Sequence, residues 1–278
     1  MPRVLLVGRA DTVGPSLERA PLPPDTEVET CPGNIEAMHR LRARAYDVVV
    51  TQPSTSVQDS LPVARDLQEA RPGLRVIVLA SAAAPNEIIE ALRAQVYACF
   101  TQPFDYPEIA SVVVQALRET NWRHSIEVVS GMPHWMTLRV SCGLMTADRL
   151  VRFMTEYRSD MPEAERDLLM TAFREMLLNA MEHGAGFDSD KVIEVTAART
   201  ARALVYHFRD PGSGFDRDDL AHAASSPDPE AVVASALRRA EMGLRPGGFG
   251  MLIARQVADE LVYNESGNEV LMIKHLDV

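Results

Sequence analysis

Lysine is almost missing from this sequence of 278 residues: only Lys191 and Lys274 occur, and none precedes Lys191. The 28 Lys and Arg residues are therefore nearly all arginine, and 39 Asp and Glu residues outnumber them, which gives a net charge of −11. Nucleic-acid binding needs a surplus of positive charge to neutralise phosphates. The composition therefore excludes a broad nucleic-acid-binding surface and fits a protein that acts on other proteins.

Cysteine and long apolar runs are also scarce. The three cysteines, Cys31, Cys99 and Cys142, lie far apart and form no C-x-x-C pair, which argues against a metal site; we expect three buried thiols. No apolar run approaches the roughly 20 residues that span a bilayer, and the run at residues 4–7 is too short for the core of a signal peptide. We therefore expect a cytoplasmic protein without membrane contact.

Two domains are expected, because a single core rarely grows beyond about 250–300 residues. Within residues 1–120, short β-branched apolar runs alternate with helical patterns, which predicts a doubly wound α/β domain with a parallel sheet. The predicted strands are residues 4–7, 48–51, 75–79 and 99–100, and the predicted helices are residues 34–45, 61–70, 86–94 and 107–120.

The pattern changes after residue 120. Residues 121–133 have no clear period and are predicted to be the tail of a helix and a linker, so the second domain would comprise residues 134–278. Strands and helices do not alternate strictly there, which predicts an α+β domain with an antiparallel or mixed sheet. The predicted strands are residues 137–142, 192–198, 203–209, 261–265 and 270–275, and the predicted helices are residues 146–157, 162–183 and 249–261.

Three polar side chains share one face of the helix predicted at residues 162–183. Glu175, Asn179 and His183 are spaced by four residues, so they form one line along the helix. A polar line beside an apolar stripe is the usual state of a solvated helix, so this pattern alone does not indicate a site. The neighbouring Arg174 is expected on the solvated surface.

Two glycine-containing segments follow. The first, Asp-Pro-Gly-Ser-Gly-Phe at residues 210–215, would alone be an ordinary turn. The second, Arg-Pro-Gly-Gly-Phe-Gly-Met at residues 245–251, directly precedes an apolar helix, where close backbone N–H groups and the helix dipole favour phosphate. The order of polar helix, Asp-x-Gly-x-Gly and glycine-rich loop is far more specific than any one of them.

Together these segments resemble the GHKL ATPase superfamily, and in particular the anti-sigma-factor serine kinases of bacterial partner-switching systems. The resemblance covers residues 137–276 and implies a Bergerat ATP-binding α+β sandwich. It implies that Asn179 coordinates Mg²⁺, that Asp210 accepts a hydrogen bond from the adenine amino group, and that Glu175 is the general base. The other residues that it implies in ATP binding are His183, Gly212, Gly214, Arg245, Gly247, Gly248 and Gly250.

The implied activity is transfer of a phosphoryl group from ATP to a Ser or Thr of a STAS-domain anti-sigma-factor antagonist, with a sigma factor or another regulator as a second partner. The alternative is an ATP-binding scaffold that sequesters a partner without phosphoryl transfer. A histidine kinase is rejected, because the only nearby phospho-acceptor, His124, has no acidic residue after it and no room for a two-helix hairpin. Residues 216–245 would form an ATP lid.

Residues 1–120 resemble a response-regulator receiver, which implies a flavodoxin-like fold. The motif positions depart from that family: Gln52 replaces the phospho-accepting aspartate, Gln102 replaces the lysine, and Ala80 takes the place of the switch Ser or Thr, with Ser81 adjacent. Asp11 remains as a doubtful metal ligand. Without a carboxylate at position 52 no acyl phosphate can form. We therefore expect a pseudo-receiver that acts by contact, through dimerisation or by docking a regulator.

The scarcity of lysine does not explain position 102. A codon habit that prefers arginine would have put Arg there as the conservative replacement, whereas the sequence has Gln102. Since Gln52 also lacks its charge, we interpret the first domain as one that lost phosphorylation chemistry and kept its fold.

Overall fold

The chain forms two compact units. A computed structural model describes residues 1–8, 10–214 and 249–276. The first unit comprises Met1–Val128 and Arg152–Ser159, and the second comprises Val129–Val151 and Asp160–Val278. None of the helices within the described residues is both long and apolar enough to cross a membrane.

The first unit contains a six-stranded parallel sheet with the order β2-β1-β3-β5-β4, in which β6 also pairs with β5. The chain order reverses between β1 and β3, so the carboxyl ends of these strands flank the crevice where doubly wound folds bind ligands. The strands are β1 (Arg3–Val7), β2 (Glu27–Cys31), β3 (Val48–Val50), β4 (Ser54–Ser56), β5 (Arg75–Ala82) and β6 (Ala98–Thr101).

Five helices accompany this sheet, which confirms the predicted doubly wound, flavodoxin-like fold. Helix α3 begins with a capping box, in which the Ser56 hydroxyl accepts from the Asp59 N–H and the Asp59 carboxylate accepts from the Ser56 N–H. Asp105 caps α5 through its carboxylate, which accepts from the Glu108 N–H. The helices are α1 (Ala10–Arg19), α2 (Asn34–Ala43), α3 (Val57–Ala70), α4 (Pro85–Arg93) and α5 (Tyr106–Arg118).

Three elements of the first unit, α1, β2 and the three-residue strand β4, escaped prediction from the sequence. Strand β2 is the edge strand, and its residues alternate between exposed positions and half-buried or buried ones. Two of its less exposed positions hold charged residues, Glu27 and Glu29. Helix α1 contains Gly14 and Pro15, residues that usually interrupt helices. Strand β4 has the sequence Ser-Thr-Ser. All three elements therefore lack the apolar period by which the other strands and helices are recognised.

The second unit has one six-stranded sheet with the order β11-β12-β10-β9-β8-β7. Strand β8 pairs with β9, β9 with β10, β10 with β12, and β12 with β11, and each of these pairs is antiparallel. Of the two predicted alternatives, an antiparallel or a mixed sheet, the structure has the antiparallel one. The strands are β7 (Ile126–Met132), β8 (Trp135–Ser141), β9 (Val192–Arg199), β10 (Ala203–Arg209), β11 (Glu260–Tyr263) and β12 (Glu269–His275). Within its described residues the helices are α6 (Leu144–Tyr157), α7 (Glu163–Asn179) and α8 (Phe249–Val257), with a π-helical turn at Ala180–Gly184.

Helix α7 packs on the sheet through its aromatic core residue. The ring of Phe173 lies 5.3 Å from that of Tyr206 and 5.1 Å from that of Phe208, and all three side chains are buried. Because Phe173 fixes the inner face of α7, the polar line of Glu175 and Asn179 lies at a different, half-buried side of the same helix.

One local prediction is wrong: residues 126–132 form strand β7, whereas the sequence predicted a helix tail and a linker across residues 121–133. Strand β7 is an edge strand, and most of its residues are exposed, including Val129 and Met132. It also contains Gly131, which weakens the strand pattern. The sequence shows no alternation there because little of the strand is buried.

Candidate functional site

Glu175 and Asn179 lie on the last two turns of α7, and both are half-buried. Directly after Asn179 the helix widens into the π-helical turn, where the Ala185 N–H donates to the Ala180 carbonyl at 3.2 Å. Such turns often occur at functional sites, because they change the direction of the following residues. Here the turn leaves His183 exposed and brings Gly184 against the end of β10.

Two glycines, Gly184 of the π-helical turn and Gly212, lie against the carboxylate of Asp210. A Cβ atom on Gly184 would lie 2.1 Å from Cγ of Asp210, and one on Gly212 would lie 2.8 Å from both the Asp210 Oδ1 and the Gly184 carbonyl oxygen. The Gly212 N–H donates to Asp210 Oδ1 at 2.8 Å. The carboxylate is therefore packed against bare backbone, and any side chain at either glycine would displace it.

The environment of Asp210 changes its acidity. Burial raises the pKa of its carboxyl, while the Gly212 N–H and the nearby His183 act in the opposite direction without cancelling the effect of burial. Among the residues that the structure describes, no donor reaches the second oxygen, Oδ2. This half-buried oxygen is available to accept a hydrogen bond from a ligand amino group.

The turn between β11 and β12 lies against Gly214, which follows Asp210. The sequence predicted only a hairpin at this turn. Gly214 has φ of 79° and passes so close to the turn that a Cβ atom there would lie 1.6 Å from the Ser266 carbonyl oxygen. The Asn268 carbonyl accepts from the Asp210 N–H at 3.0 Å, and Asn264 bridges to Asn268 at 2.8 Å. The asparagines flanking Gly267 were the sequence feature that could have pointed to this role.

Glu175 is joined to a charged pair that the sequence did not indicate. Nη1 of Arg174 lies 3.7 Å from Glu175 Oε1, while its Nε and Nη2 each lie 2.8 Å from Oδ1 of Asp148 on α6. Arg174 was expected on the solvated surface, and its side chain is 35% exposed, but it links α6 to the carboxylate of Glu175.

Of the remaining predicted site residues, the structure describes only Gly250. Arg245, Gly247, Gly248 and the lid predicted at residues 216–245 lie outside the described residues. Gly250 is the second residue of α8, at the end where the helix dipole is positive, and α8 packs beside α7. The structure therefore brings Glu175, Asn179, His183, Asp210, Gly212 and Gly214 into one region of the second unit, with Gly250 on the adjacent helix.

The donor set suits a nucleotide with a hard cation. The bare backbone beside Asp210 provides a cradle that a Cβ atom would fill, and its free oxygen fits an adenine amino group. Within the described ranges, no three His, Cys, Asp or Glu side chains come together as a metal cluster. Mg²⁺ would therefore depend on the Asn179 amide oxygen, on phosphate oxygens and on waters, which is its common mode with nucleotides.

In the first unit, the motif positions lie at the carboxyl ends of the strands. Gln52 follows β3, and Gln102 follows β6 and precedes Pro103 through a cis peptide bond. Ala80 is buried and Ser81 is exposed. The side chain of Asp11 lies outside what the structure describes.

Comparisons with known proteins find one family model and several solved structures that are similar to parts of this chain. Residues 144–274 match the family model of the histidine kinase-like ATPase domain. The first unit is similar to a response regulator from Thermotoga maritima, with 23% identity over 43% of this chain and 99% of that one and a TM-score of 0.36. The non-phosphorylated HemR receiver domain from Leptospira biflexa is 21% identical over 44% of this chain and 98% of that one, with a TM-score of 0.36. No curated protein matches the sequence. Residues 144–274 are thus similar to the histidine kinase-like ATPase domain, and the parallel sheet of the first unit has a flavodoxin-like topology.

Proposed function

We propose that this protein is an ATP- and Mg²⁺-dependent serine/threonine protein kinase of the anti-sigma-factor type. The observation that carries the proposal is the arrangement along one helix end, where the Glu175 carboxylate and the Asn179 amide lead into the turn that holds Gly184 against Asp210. A nucleotide whose base is bound at Asp210 would extend its phosphates along this side of α7.

Each residue has a defined chemical task in this reaction. Asp210 accepts from the adenine amino group, and Asn179 holds Mg²⁺ through its amide oxygen. Glu175 takes the proton of a serine or threonine hydroxyl as that oxygen bonds to the γ-phosphorus and the bond to the β-phosphate oxygen breaks, which releases ADP. Bound ATP supplies the phosphoryl group. A positioned base of this kind contributes about 10²–10⁴ in rate.

The proposed substrate is a Ser or Thr of a STAS-domain antagonist, and the proposed second partner is a sigma factor or another regulator. The first unit would regulate the kinase by contact, in a homodimer or with a docked protein, because Gln52 cannot form an acyl phosphate. The net charge of −11 is consistent with protein partners in place of nucleic acid.

The deciding experiment is incubation of the full chain with γ-labelled ATP and candidate STAS proteins from the same genome. We expect label transfer by the wild type and a loss of about 10²-fold or more in Glu175→Gln, with ATP binding retained. Glu165→Gln is the matched control, because Glu165 is exposed in the first turn of the same helix. Unchanged transfer by Glu175→Gln, or an equal loss in Glu165→Gln, would contradict the role of Glu175.

A scaffold that binds ATP and sequesters a partner is the second candidate, and the contact between Arg174 and Glu175 favours it. Nη1 of Arg174 lies 3.7 Å from Glu175 Oε1, so the carboxylate already has a cationic partner where a base would have to receive a hydroxyl proton. The same labelling experiment separates the two functions. ATP-dependent capture of a STAS protein without label transfer in the wild type would support the scaffold.

A further inference from the structure

A polar cavity of about 290 Å³ opens in the first unit at the carboxyl end of β3, outside the residues considered for ATP. Its wall is formed by the start of α2, the residues that follow β3 and the first turn of α3, including Asn34, Gln52 and Ser60. Ligand sites usually enclose about 300–1,000 Å³, so this cavity, just below that range, is large enough only for a small molecule. It also lies beside the crevice where the strand order reverses between β1 and β3.

Two glycines give Gln52 the space to line this cavity. A Cβ atom on Gly8, which has φ of 97°, would lie 3.0 Å from Cβ of Gln52, so the backbone after β1 passes directly beside this side chain. A Cβ atom on Gly33 would lie 3.8 Å from Gln52 Oε1, so the amide extends toward the start of α2. Gln52 is thus held between the loops that follow β1 and β2.

The cavity has hydrogen-bonding capacity that the described part of the chain does not use. Oδ1 of Asn34 is enclosed and has no donor, and neither the Gln52 amide nor the Thr55 hydroxyl has a hydrogen-bond partner among the described residues. The Thr51 hydroxyl oxygen accepts from the Leu79 N–H at 3.1 Å, which leaves its proton to be donated. Gln52 and Thr55 are exposed, so the cost of an unpaired buried polar group applies to Asn34 Oδ1, and a small turn of the Asn34 amide would let a ligand satisfy it.

The charge of the lining restricts the ligand class. Asp59 is the one charged side chain among the described lining residues, and its Oδ2 already accepts from the Ser56 N–H at 3.1 Å. Among those residues there is no arginine, lysine or histidine to attract a phosphate. Amides and hydroxyls both donate and accept, which is the pattern that adjacent hydroxyl groups on a small molecule require.

We propose that this cavity binds a small, uncharged, polyhydroxylated molecule of the size of a monosaccharide or an inositol. The amides of Asn34 and Gln52 and the hydroxyls of Thr51 and Thr55 would bind its hydroxyl groups. The position that carries phosphoryl chemistry in receivers would then serve as a ligand contact through Gln52. This inference does not depend on the kinase activity of the second unit.

The test is ligand-observed NMR on the full chain with myo-inositol, D-glucose and D-ribose, and with inorganic phosphate and D-glucose 6-phosphate as charged comparators. We expect saturation transfer to at least one uncharged compound at millimolar concentration and at least tenfold weaker binding of its charged counterpart. Gln52→Leu and Asn34→Leu should each weaken binding about tenfold or more, which corresponds to about 1.4 kcal/mol.

Gln58→Leu is the matched control, because Gln58 is exposed on α3 and does not line the cavity. It should bind like the wild type. If Gln52→Leu or Asn34→Leu melts without a cooperative transition, Thr55→Val takes its place, since Thr55 is exposed and its replacement leaves the core intact. No binding of any uncharged compound, equal binding of the phosphate ester, unchanged binding in the cavity variants, or an equal loss in Gln58→Leu would each overturn the proposal.

Discussion

Gly184 is the residue on which the geometry of the candidate nucleotide site depends most directly. A methyl group there would stand 2.1 Å from Cγ and 2.2 Å from Oδ1 of Asp210, distances at which the carboxylate must move. The Gly184 carbonyl oxygen also lies within 2.8 Å of where a Cβ atom of Gly212 would be, so the backbone around it has little freedom to adjust. Only glycine allows this approach.

We therefore expect Gly184→Ala to weaken ATP binding at least tenfold, a loss of about 1.4 kcal/mol. Calorimetric titration with ATP and Mg²⁺ measures it. Gly143→Ala is the matched control, because the added methyl would meet only the Thr146 hydroxyl at an ordinary 3.6 Å. ATP affinity in Gly184→Ala equal to that of the wild type would show that Asp210 is not part of the site.

The raised pKa of Asp210 predicts how stability depends on pH. Burial favours the protonated form, so the folded state holds this proton at pH values where the unfolded chain has released it. The contribution to stability is thus present below the ordinary aspartate pKa and is lost as pH rises through the higher pKa of the folded state. Asn has no proton to lose and can still accept from the Gly212 N–H.

Asp210→Asn should accordingly gain stability relative to the wild type as pH increases. We expect the difference in Tm, variant minus wild type, to be larger at about pH 7 than at about pH 3, two pH values on either side of the ordinary pKa of aspartate. Thermal unfolding at both pH values measures it. A difference that is constant, or that shrinks as pH rises, would mean that the Asp210 carboxyl is not destabilised by burial.

At the scale of elements, strands and helices whose apolar residues are buried at regular intervals could be predicted from the sequence, and those without such a pattern could not. Strands β3 and β5 and helix α5 were recognised because their apolar residues face the core. The edge strands β2 and β7 were not, since one is polar and the other mostly exposed. Edge strands bury too little surface for their pattern to differ from that of a loop.

The π-helical turn is the second element that no periodicity could reveal. The helix predicted through residue 183 changes from α to π after Asn179, and Ala180 and Met181 in the π-helical turn are buried. The change depends on how the chain must meet Asp210, which lies after two further strands. The spacing of Glu175 and Asn179 was therefore predictable, while the relation of Gly184 to Asp210 required the tertiary structure.

At the scale of the whole molecule, the first unit is not continuous in sequence. It includes residues 152–159, which form the end of α6 and the two residues after it, although the second unit has already begun at Val129. The linker predicted at residues 121–133, as a boundary between domains, stays a prediction. No period in the sequence could have assigned the two halves of α6 to different units, because one helix carries both.

Glu156 in that segment accepts two hydrogen bonds from Thr101 of the first unit. Its Oε1 accepts from the Thr101 N–H at 3.2 Å and its Oε2 accepts from the Thr101 hydroxyl at 2.6 Å. Glutamine has only one accepting oxygen, so Glu156→Gln leaves a partly buried donor of Thr101 unpaired. We expect a loss of about 1–3 kcal/mol in the free energy of unfolding of the first unit.

Chemical denaturation followed by tryptophan fluorescence measures this loss, because Trp122 of the first unit is 2% exposed whereas Trp135 of the second is already 51% exposed. The change in emission thus reports mainly on the first unit. Glu18→Gln is the control, since Glu18 is exposed on α1 of the same unit. If Glu156→Gln unfolds at the same denaturant concentration as Glu18→Gln, the end of α6 does not stabilise the first unit. A selective loss would mean that the hydrogen bonds of Glu156 at the end of α6 stabilise the first unit.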